Sequence, residues 1–341
     1  MKAALLRGPG ELVVEDVPDP RIEEPTDAVV RVLAAGICGT DLRGYAGLPG
    51  PVTGPRCGHE FVGVVEDVGA DVTLRPGTTV VAPFVFADGT CLECEHGVPS
   101  SCRAGGMFGV AGDGGQAEAV RVPFADATLV PAAVDENDER LSALLALCDV
   151  MATGRHAARM TRIAPGASVA VIGDGAVGLC SVLAARQAGA EQVLLLGRHE
   201  DRVRIGRGFG ATEVVSARGA EAVEAVRAAT DGAGVDVVVD CVGEAGSLTT
   251  AIGIVRDGGA LSPVGGLHAG LDLMACFLRN LTVAGGLAPA RTYLPGLVED
   301  VLAGRLDPSP VFDLSVPLGD IAKGYEAMRD RTATKTLVRI R

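Results

Sequence analysis

Up to about residue 150 the chain strings together short β-type apolar runs punctuated by Gly and Pro. Leu12-Val13-Val14, Ala28-Val29-Val30-Arg31-Val32, Phe61-Val62-Gly63-Val64-Val65 and Thr79-Val80-Val81 are examples. They lie close together and lack long helical periods, which predicts a mostly β, barrel-like domain. From about residue 153 the pattern changes to strand–helix alternation. Ser168-Val169-Ala170-Val171-Ile172 reads as a buried parallel strand, and Ala176 to Ala188 as a helix closed by Gly189. A strand at Gln192 to Leu196, a polar helix from Asp201, and strands at Val235 to Val239, Ala260 to Val264 and Leu281 to Ala284 follow. Alternation of this kind predicts a doubly wound parallel sheet. Beyond Pro289 the pattern reads helix (Tyr293 to Leu302), strand (Val311 to Val316), helix (Ile321 to Asp330) and a last strand (Thr336 to Ile340).

At 341 residues the chain is too long for one ordinary core, and its 48 % apolar content is enough for two. No uncharged apolar run is long enough for a membrane helix, and Met1 to Arg7 is too short for a signal peptide, so a cytoplasmic location is expected. The net charge of −13 speaks against nucleic acid and anionic membrane surfaces as partners. Lysine is confined to Lys2, Lys323 and Lys335 while arginine is abundant. Of nine cysteines, Cys91, Cys94 and Cys102 cluster, and without an export signal metal binding explains them better than disulfides. Cys180, Cys241 and Cys276 read as small buried hydrophobes.

Three short stretches carry candidate metal chemistry: Cys38-Gly39-Thr40-Asp41, Gly58-His59-Glu60 and Cys148-Asp149-Val150. They supply a thiolate, an imidazole and a carboxylate, the set that suits a catalytic Zn²⁺ with one open position. Cys38 follows a strand in a Gly-bounded turn, and Asp149 precedes an expected break at Met151-Ala152-Thr153-Gly154. A zinc between two domains would be reachable from a cleft. The Thr40 hydroxyl is placed to take an alcohol proton, and Glu60 either supports a ligand or exchanges onto the metal. Each residue alone has an ordinary explanation, a core Cys or His or an N-cap Asp; the combination points to a metal.

Asp88-x2-Cys91-x2-Cys94-x7-Cys102 has the spacing of a closed tetrahedral zinc site. The fourth ligand is left open between Asp88 and His96, and the alternative is a loop of three free thiols. About twenty residues after Asp149, Gly173-Asp174-Gly175-Ala176-Val177-Gly178 follows a strand and opens a helix, the context of a dinucleotide turn. Gly173 permits the tight turn, Gly175 lets the pyrophosphate approach, and Gly178 permits close helix–sheet packing. The helix start with Ala176 and Val177 faces the phosphates. Where an NAD site usually carries an acid, the chain has Leu196-Gly197-Arg198-His199, with Arg202 a turn later. Gly197 leaves room, and Arg198 and Arg202 favour a 2′-phosphate, hence NADP. The alternative is a solvated Arg198, and Glu200 and Asp201 lie close by.

These motifs, in order and spacing, resemble the medium-chain dehydrogenase/reductase superfamily in its zinc-dependent alcohol dehydrogenase branch. The resemblance runs through Gly36 to Leu42, Gly58 to Gly63, the Cys91 to Cys102 lobe, Asp149 to Gly154 and Gly173 to Gly178. It implies an α/β protein: a GroES-like β-barrel catalytic domain over 1–152, a Rossmann domain over 153–288, and a segment over 289–341 completing the catalytic domain. It also implies a catalytic zinc on Cys38, His59 and Asp149 beside Glu60, a relay hydroxyl at Thr40, a structural zinc lobe, and Phe84 near the substrate pocket. Two departures stand out: Arg43 where the relay often continues to a His, and Asp88 for the first structural cysteine.

The resulting expectation is a zinc-dependent oxidoreductase passing hydride between NADP(H), or less readily NAD(H), and an alcohol, ketone or aldehyde. The rivals are a zinc-free quinone or enoyl reductase of the same superfamily and a non-catalytic NADPH-binding sensor. A homodimer or homotetramer is expected, with Leu281 to Ala284 as a pairing edge.

Overall fold

The computed structural model describes residues 1–48, 56–266 and 270–340. The chain divides into two compact units, Met1–Ala152 with Pro289–Arg341, and Thr153–Ala288.

The first unit is built on a branched, mostly antiparallel sheet. Its order is Leu314–Pro317, Thr336–Arg339, Ala28–Gly36, Phe61–Val68, Thr79–Val81, Val130–Pro131, with Ala119–Val122 also paired to Ala28–Gly36. Val- and Ala-rich runs supply these strands because β-branched side chains fill a pleated, buried surface. Val30, Val32, Phe61, Val65, Val120 and Val338 interlock in one core. The last strand lies antiparallel to Ala28–Gly36, with Leu337 opposite Gly36 and Val338 opposite Ala35. Residues more than 270 positions apart thereby meet at one end of the sheet.

The second unit is a parallel sheet in the order Glu213–Val215, Gln192–Leu196, Ser168–Ile172, Val235–Asp240, Val255–Pro263, Thr282–Val283. The order turns back at Ser168–Ile172, so the loop after that strand lies at a topological switch point, where such sheets bind ligands. Val169, Ala170 and Val171 are wholly buried, as a central parallel strand requires.

The structure corrects several expectations. The two units divide between Ala152 and Thr153, inside the expected break, but the chain does not loop there: one helix, Val150–Met160, runs through it. Gly154 serves packing there: a Cβ would come 2.8 Å from the Cys180 carbonyl carbon and 2.9 Å from the Ser181 nitrogen. The β-rich region also contains the helices Gly39–Tyr45 and Leu141–Leu147. The expected strand Val311 to Val316 is a 3-10 turn, Ser309–Val311, followed by the strand Leu314–Pro317. Prolines in the first turn favour that start, and Asp313 turns to accept the Thr334 N–H at 2.8 Å. The edge strand is the shorter Thr282–Val283.

Candidate metal centres and nucleotide site

Strand pairing builds the first site. Ala35 lies opposite Phe61, and the Gly36 N–H donates to the Glu60 carbonyl at 2.9 Å. Cys38, two residues beyond one strand, therefore faces His59 and Glu60, which lead into the other. Cys148 donates to the Phe61 carbonyl at 3.3 Å and its own carbonyl accepts the Phe84 N–H at 3.2 Å, which brings Asp149 alongside. Donor atoms of Cys38, His59, Glu60 and Asp149 all lie within 4.8 Å of one another. Asp149 Oδ2 is 3.5 Å from Cys38 Sγ and 3.4 Å from His59 Nε2.

Two glycines make room for this packing. Gly58 has φ +91°, and a Cβ there would collide with the Gln116 side chain. A Cβ on Gly36 would collide with Glu60 Oε2. Behind the donors, the Asp41 carboxylate accepts the Cys38 N–H at 2.9 Å and stands 3.4 Å from His59 Nδ1. Nδ1 is thus tethered and Nε2 is left toward Asp149, the arrangement that orients a ligating imidazole. Gln116 Nε2 donates to Asp41 at 3.3 Å and to the Gly36 carbonyl at 3.0 Å, and the buried Tyr325 hydroxyl donates to Gln116 Oε1 at 2.8 Å. Lys335 Nζ donates to Glu60 Oε1 at 2.7 Å and to the Ile37 carbonyl at 3.3 Å.

Thr40 lies in the first turn of Gly39–Tyr45, its Oγ1 3.6 Å from Cys38 Sγ. Arg43 sits on the same helix. The Phe84 ring meets the His59 ring edge-on, with centroids 6.4 Å apart.

Electrostatics agree with a cation-binding role. Burial, then Asp149, pushes the Cys38 thiol up. Burial also lifts Glu60, against the pull of Lys335. His59 is held well above its usual value: burial opposes the charge, and the Asp41 carboxylate and Cys38 outweigh it. Once deprotonated, Cys38, Glu60 and Asp149 would carry three negative charges against the one ammonium of Lys335, an excess that a divalent cation would neutralise. The mixed S/N/O set fits Zn²⁺.

The second cluster joins Asp88, Cys91, Cys94 and Cys102, again with donor atoms within 4.8 Å. Cys91 Sγ lies 3.5 Å from Cys94 Sγ and 3.7 Å from Cys102 Sγ. The Cys91 and Thr90 N–H groups hold the Asp88 carboxyl below the usual carboxylate range. Burial pushes the Cys94 thiol up to about 12. Of the two candidates for a fourth ligand, Asp88 is in the cluster; His96 is exposed and its Nδ1 lies 2.7 Å from the Leu92 carbonyl.

In the second unit the glycine-rich turn follows Ser168–Ile172 and opens the helix Ala176–Gln187. Gly173 has φ +108°, and a Cβ on Gly178 would collide with the Gly173 carbonyl oxygen. Gly175 caps the helix without a side-chain acceptor and a Cβ there would meet nothing within 4 Å. Ala176 and Val177 therefore begin a helix beside the open space at Gly175, where a pyrophosphate could be held. Gly197 ends the adjoining strand; Arg198 is exposed and Arg202 half-buried.

Asp41, Gln116, Tyr325 and Lys335 were not singled out by spacing. Asp41 stood inside a quoted motif, and Lys335 had a signal: a lysine kept among Val and Thr in a chain with only two others.

A β unit with a mixed-donor metal cluster and a parallel sheet with a glycine-rich turn describe the class of metal-dependent dehydrogenases. Comparison with known proteins agrees. Residues 24–132 match the alcohol dehydrogenase GroES-like domain and residues 176–303 the zinc-binding dehydrogenase domain. A probable zinc-binding alcohol dehydrogenase of Mycobacterium tuberculosis is 38 % identical over 340 residues, 97 % of this chain and 86 % of that protein. An NADP-dependent isopropanol dehydrogenase of Thermoanaerobacter brockii is 32 % identical over 90 % of each chain. The structure of alcohol dehydrogenase TADH from Thermus sp. ATN1 superposes with a TM-score of 0.90 at 34 % identity, covering 100 % of both chains. The chain belongs to the zinc-dependent alcohol dehydrogenase branch of the medium-chain dehydrogenase/reductase superfamily, with its GroES-like and Rossmann folds. Among the described residues, no helix is long and apolar enough to cross a membrane.

Proposed function

We propose that this oxidoreductase interconverts an alcohol and its ketone or aldehyde with NADP(H), the substrate oxygen being held at the Cys38–His59–Asp149 centre. The observation that carries the reading is the convergence of Cys38, His59, Glu60 and Asp149 donor atoms. When bound, the metal supplies Lewis acidity toward the substrate oxygen and the nicotinamide supplies or accepts the hydride. The chain's own groups do the rest. Cys38, His59 and Asp149 hold the metal, Asp41 fixes the His59 ring, and Lys335 holds Glu60 beside it. Thr40 would take the proton of the alcohol; with Arg43 three residues on, where a further relay group would stand, that proton would pass on to water. Asp88, Cys91, Cys94 and Cys102 hold a second, structural zinc.

NADP(H) preference rests on Gly197, Arg198 and Arg202 at the strand end, and the isopropanol dehydrogenase relative is NADP-dependent by name. Gly173, Gly175, Ala176, Val177 and Gly178 take the pyrophosphate. Self-association into a homodimer or homotetramer is supported by the exposed side chains of Leu273, Met274, Phe277 and Leu278 beside the edge strand Thr282–Val283. None of the nine cysteines is joined in a disulfide, and four of them are assigned here to metal, which suits a reducing compartment.

The test is replacement of Cys38 or His59 by Ala, with turnover of an alcohol and ketone panel and NADPH binding followed side by side. Loss of turnover with NADPH binding intact is expected. Retained turnover would contradict the reading and favour a zinc-free reductase.

A further inference from the structure

The end of the Gln192–Leu196 strand holds an acid that the sequence pattern placed elsewhere. Asp174, the variable residue between the first two glycines, is only 7 % exposed and turns toward the neighbouring loop. Its Oδ2 accepts the backbone N–H of Arg198 at 2.8 Å and of His199 at 3.0 Å. His199 Nδ1 lies 2.9 Å from Oδ2 and 3.0 Å from Oδ1. Arg202 Nη1 stands 3.8 Å from Oδ1.

Gly197 is part of the same arrangement. A Cβ at that position would lie 2.6 Å from Asp174 Cβ and 2.9 Å from Oδ2. Residues 174 and 197 therefore compete for one volume, and an acid at 174 requires glycine at 197. The acid expected at the strand end is thus replaced by one delivered from the glycine-rich turn. It is already engaged: two backbone N–H groups bond Oδ2, and the His199 ring lies within 3.0 Å of both oxygens. His199 and Arg202 also face its charge. Arg198, anchored through its N–H, is exposed, and its guanidinium makes no hydrogen bond or ion pair among the described residues.

We propose that Asp174 is a positioning residue for the adenosine end of the cofactor: it clamps the Gly197–His199 turn so that the Arg198 guanidinium is presented to the ribose 2′-phosphate. The inference rests on the NADP(H) reading above. A guanidinium recognises phosphate through paired N–H groups in fixed directions, so holding its backbone removes part of the ordering cost of binding. In this account Asp174 acts through the turn and not by receiving the ribose hydroxyls: Oδ2 is taken by the two N–H groups, and the His199 ring lies against both oxygens.

Calorimetry with 2′,5′-ADP and 5′-ADP on the full-length protein tests this without requiring turnover. The wild type binds 2′,5′-ADP more tightly. Asp174→Ala weakens 2′,5′-ADP about ten-fold, the worth of one charge-assisted hydrogen bond, and weakens 5′-ADP less than about three-fold. Asp174→Asn keeps a carbonyl oxygen for the two N–H groups and stays within about three-fold of wild type for 2′,5′-ADP. Arg198→Ala loses the 2′-phosphate preference, and adding Asp174→Ala to it brings under about two-fold more, since one residue acts through the other. An equal loss of both ligands in Asp174→Ala, or tighter 2′,5′-ADP binding in that variant, overturns the proposal and leaves the NADP(H) reading standing. A wild type that binds 5′-ADP as tightly as 2′,5′-ADP overturns the NADP(H) reading and the proposal together.

Discussion

Lys335 and Glu60, 275 residues apart in sequence, form an ion pair sealed from solvent: Nζ donates to Oε1 at 2.7 Å, and the side chains are 1 % and 0 % exposed. The pairing of the last strand with Ala28–Gly36 puts the lysine there, and the Ile37 N–H bond to the Thr336 carbonyl at 3.1 Å locks the register. A lone ammonium or carboxylate in such a place would be strongly disfavoured; Glu60 holds the Lys335 ammonium charged, and Lys335 offsets part of the cost that burial puts on an ionised Glu60. The pair therefore ties the C-terminal segment to the metal site.

Removing one member should be costly. Lys335→Met leaves the Glu60 carboxylate buried without its counter-ion, and a loss of about 3–5 kcal/mol is expected in urea denaturation. Combining Lys335→Met with Glu60→Gln should cost less than the sum of the single changes, because the orphaned charge is gone. A loss below about 1 kcal/mol for Lys335→Met would mean that water reaches the site.

The bare Cα of Gly58 is a steric requirement of the His59 seat. Gly58→Ala puts a side chain at φ +91° and into Gln116, whose amide supports Asp41. Destabilisation of about 1–3 kcal/mol is expected, with less metal retained after dialysis. Thermal unfolding and elemental analysis check it; full metal content at unchanged stability would show that the loop relaxes freely.

Asp88 stands where the other three groups of its cluster are thiols. Zinc bound through one carboxylate and three thiolates should be released faster than zinc bound by four thiolates, so Asp88→Cys should slow its release to a chelator. Asp88→Ala should speed that release and lower the unfolding temperature. Release kinetics followed with a colorimetric chelator distinguish the variants; identical rates in all three would place Asp88 outside the coordination sphere.

Acid should weaken the nucleotide unit in part through Asp174. Burial raises its carboxyl pKa, but the N–H groups and ring of His199 and the Arg198 N–H outweigh burial and leave it below the usual value. A depressed folded-state pKa means stability that is present above the unfolded value of about 3.9 and lost as pH falls through the folded value. Asp174→Asn should therefore flatten the acid limb of a stability–pH curve below about pH 4 and leave its slope at neutral pH unchanged. A parallel acid limb in wild type and variant would contradict this.

The fold class was legible because its signals are local. Val-rich runs close together announced the β unit, and Ser168–Ile172 followed by Gly173 to Gly178 announced the parallel sheet. The donor residues the structure brings together, Cys38 with His59, Glu60 and Asp149, stand in short motifs, so they too could be read in advance. What stayed hidden depends on contacts across the chain. Lys335 meets Glu60 only through strand register, and Tyr325 reaches Gln116 across 209 residues. Asp174 looked like a variable position because its partner is the next loop. The packing role of Gly154 stayed hidden because its close neighbour, Cys180, lies on another helix.

The central claim is that Cys38, His59 and Asp149 hold a zinc while Asp88, Cys91, Cys94 and Cys102 hold another. The most direct measurement is zinc per chain, by elemental analysis, in wild type and Cys38→Ala purified without chelator. The account predicts about two zinc ions per chain in the wild type and about one in the variant, with turnover lost. No zinc in the wild type, or an undiminished count in Cys38→Ala, would contradict it.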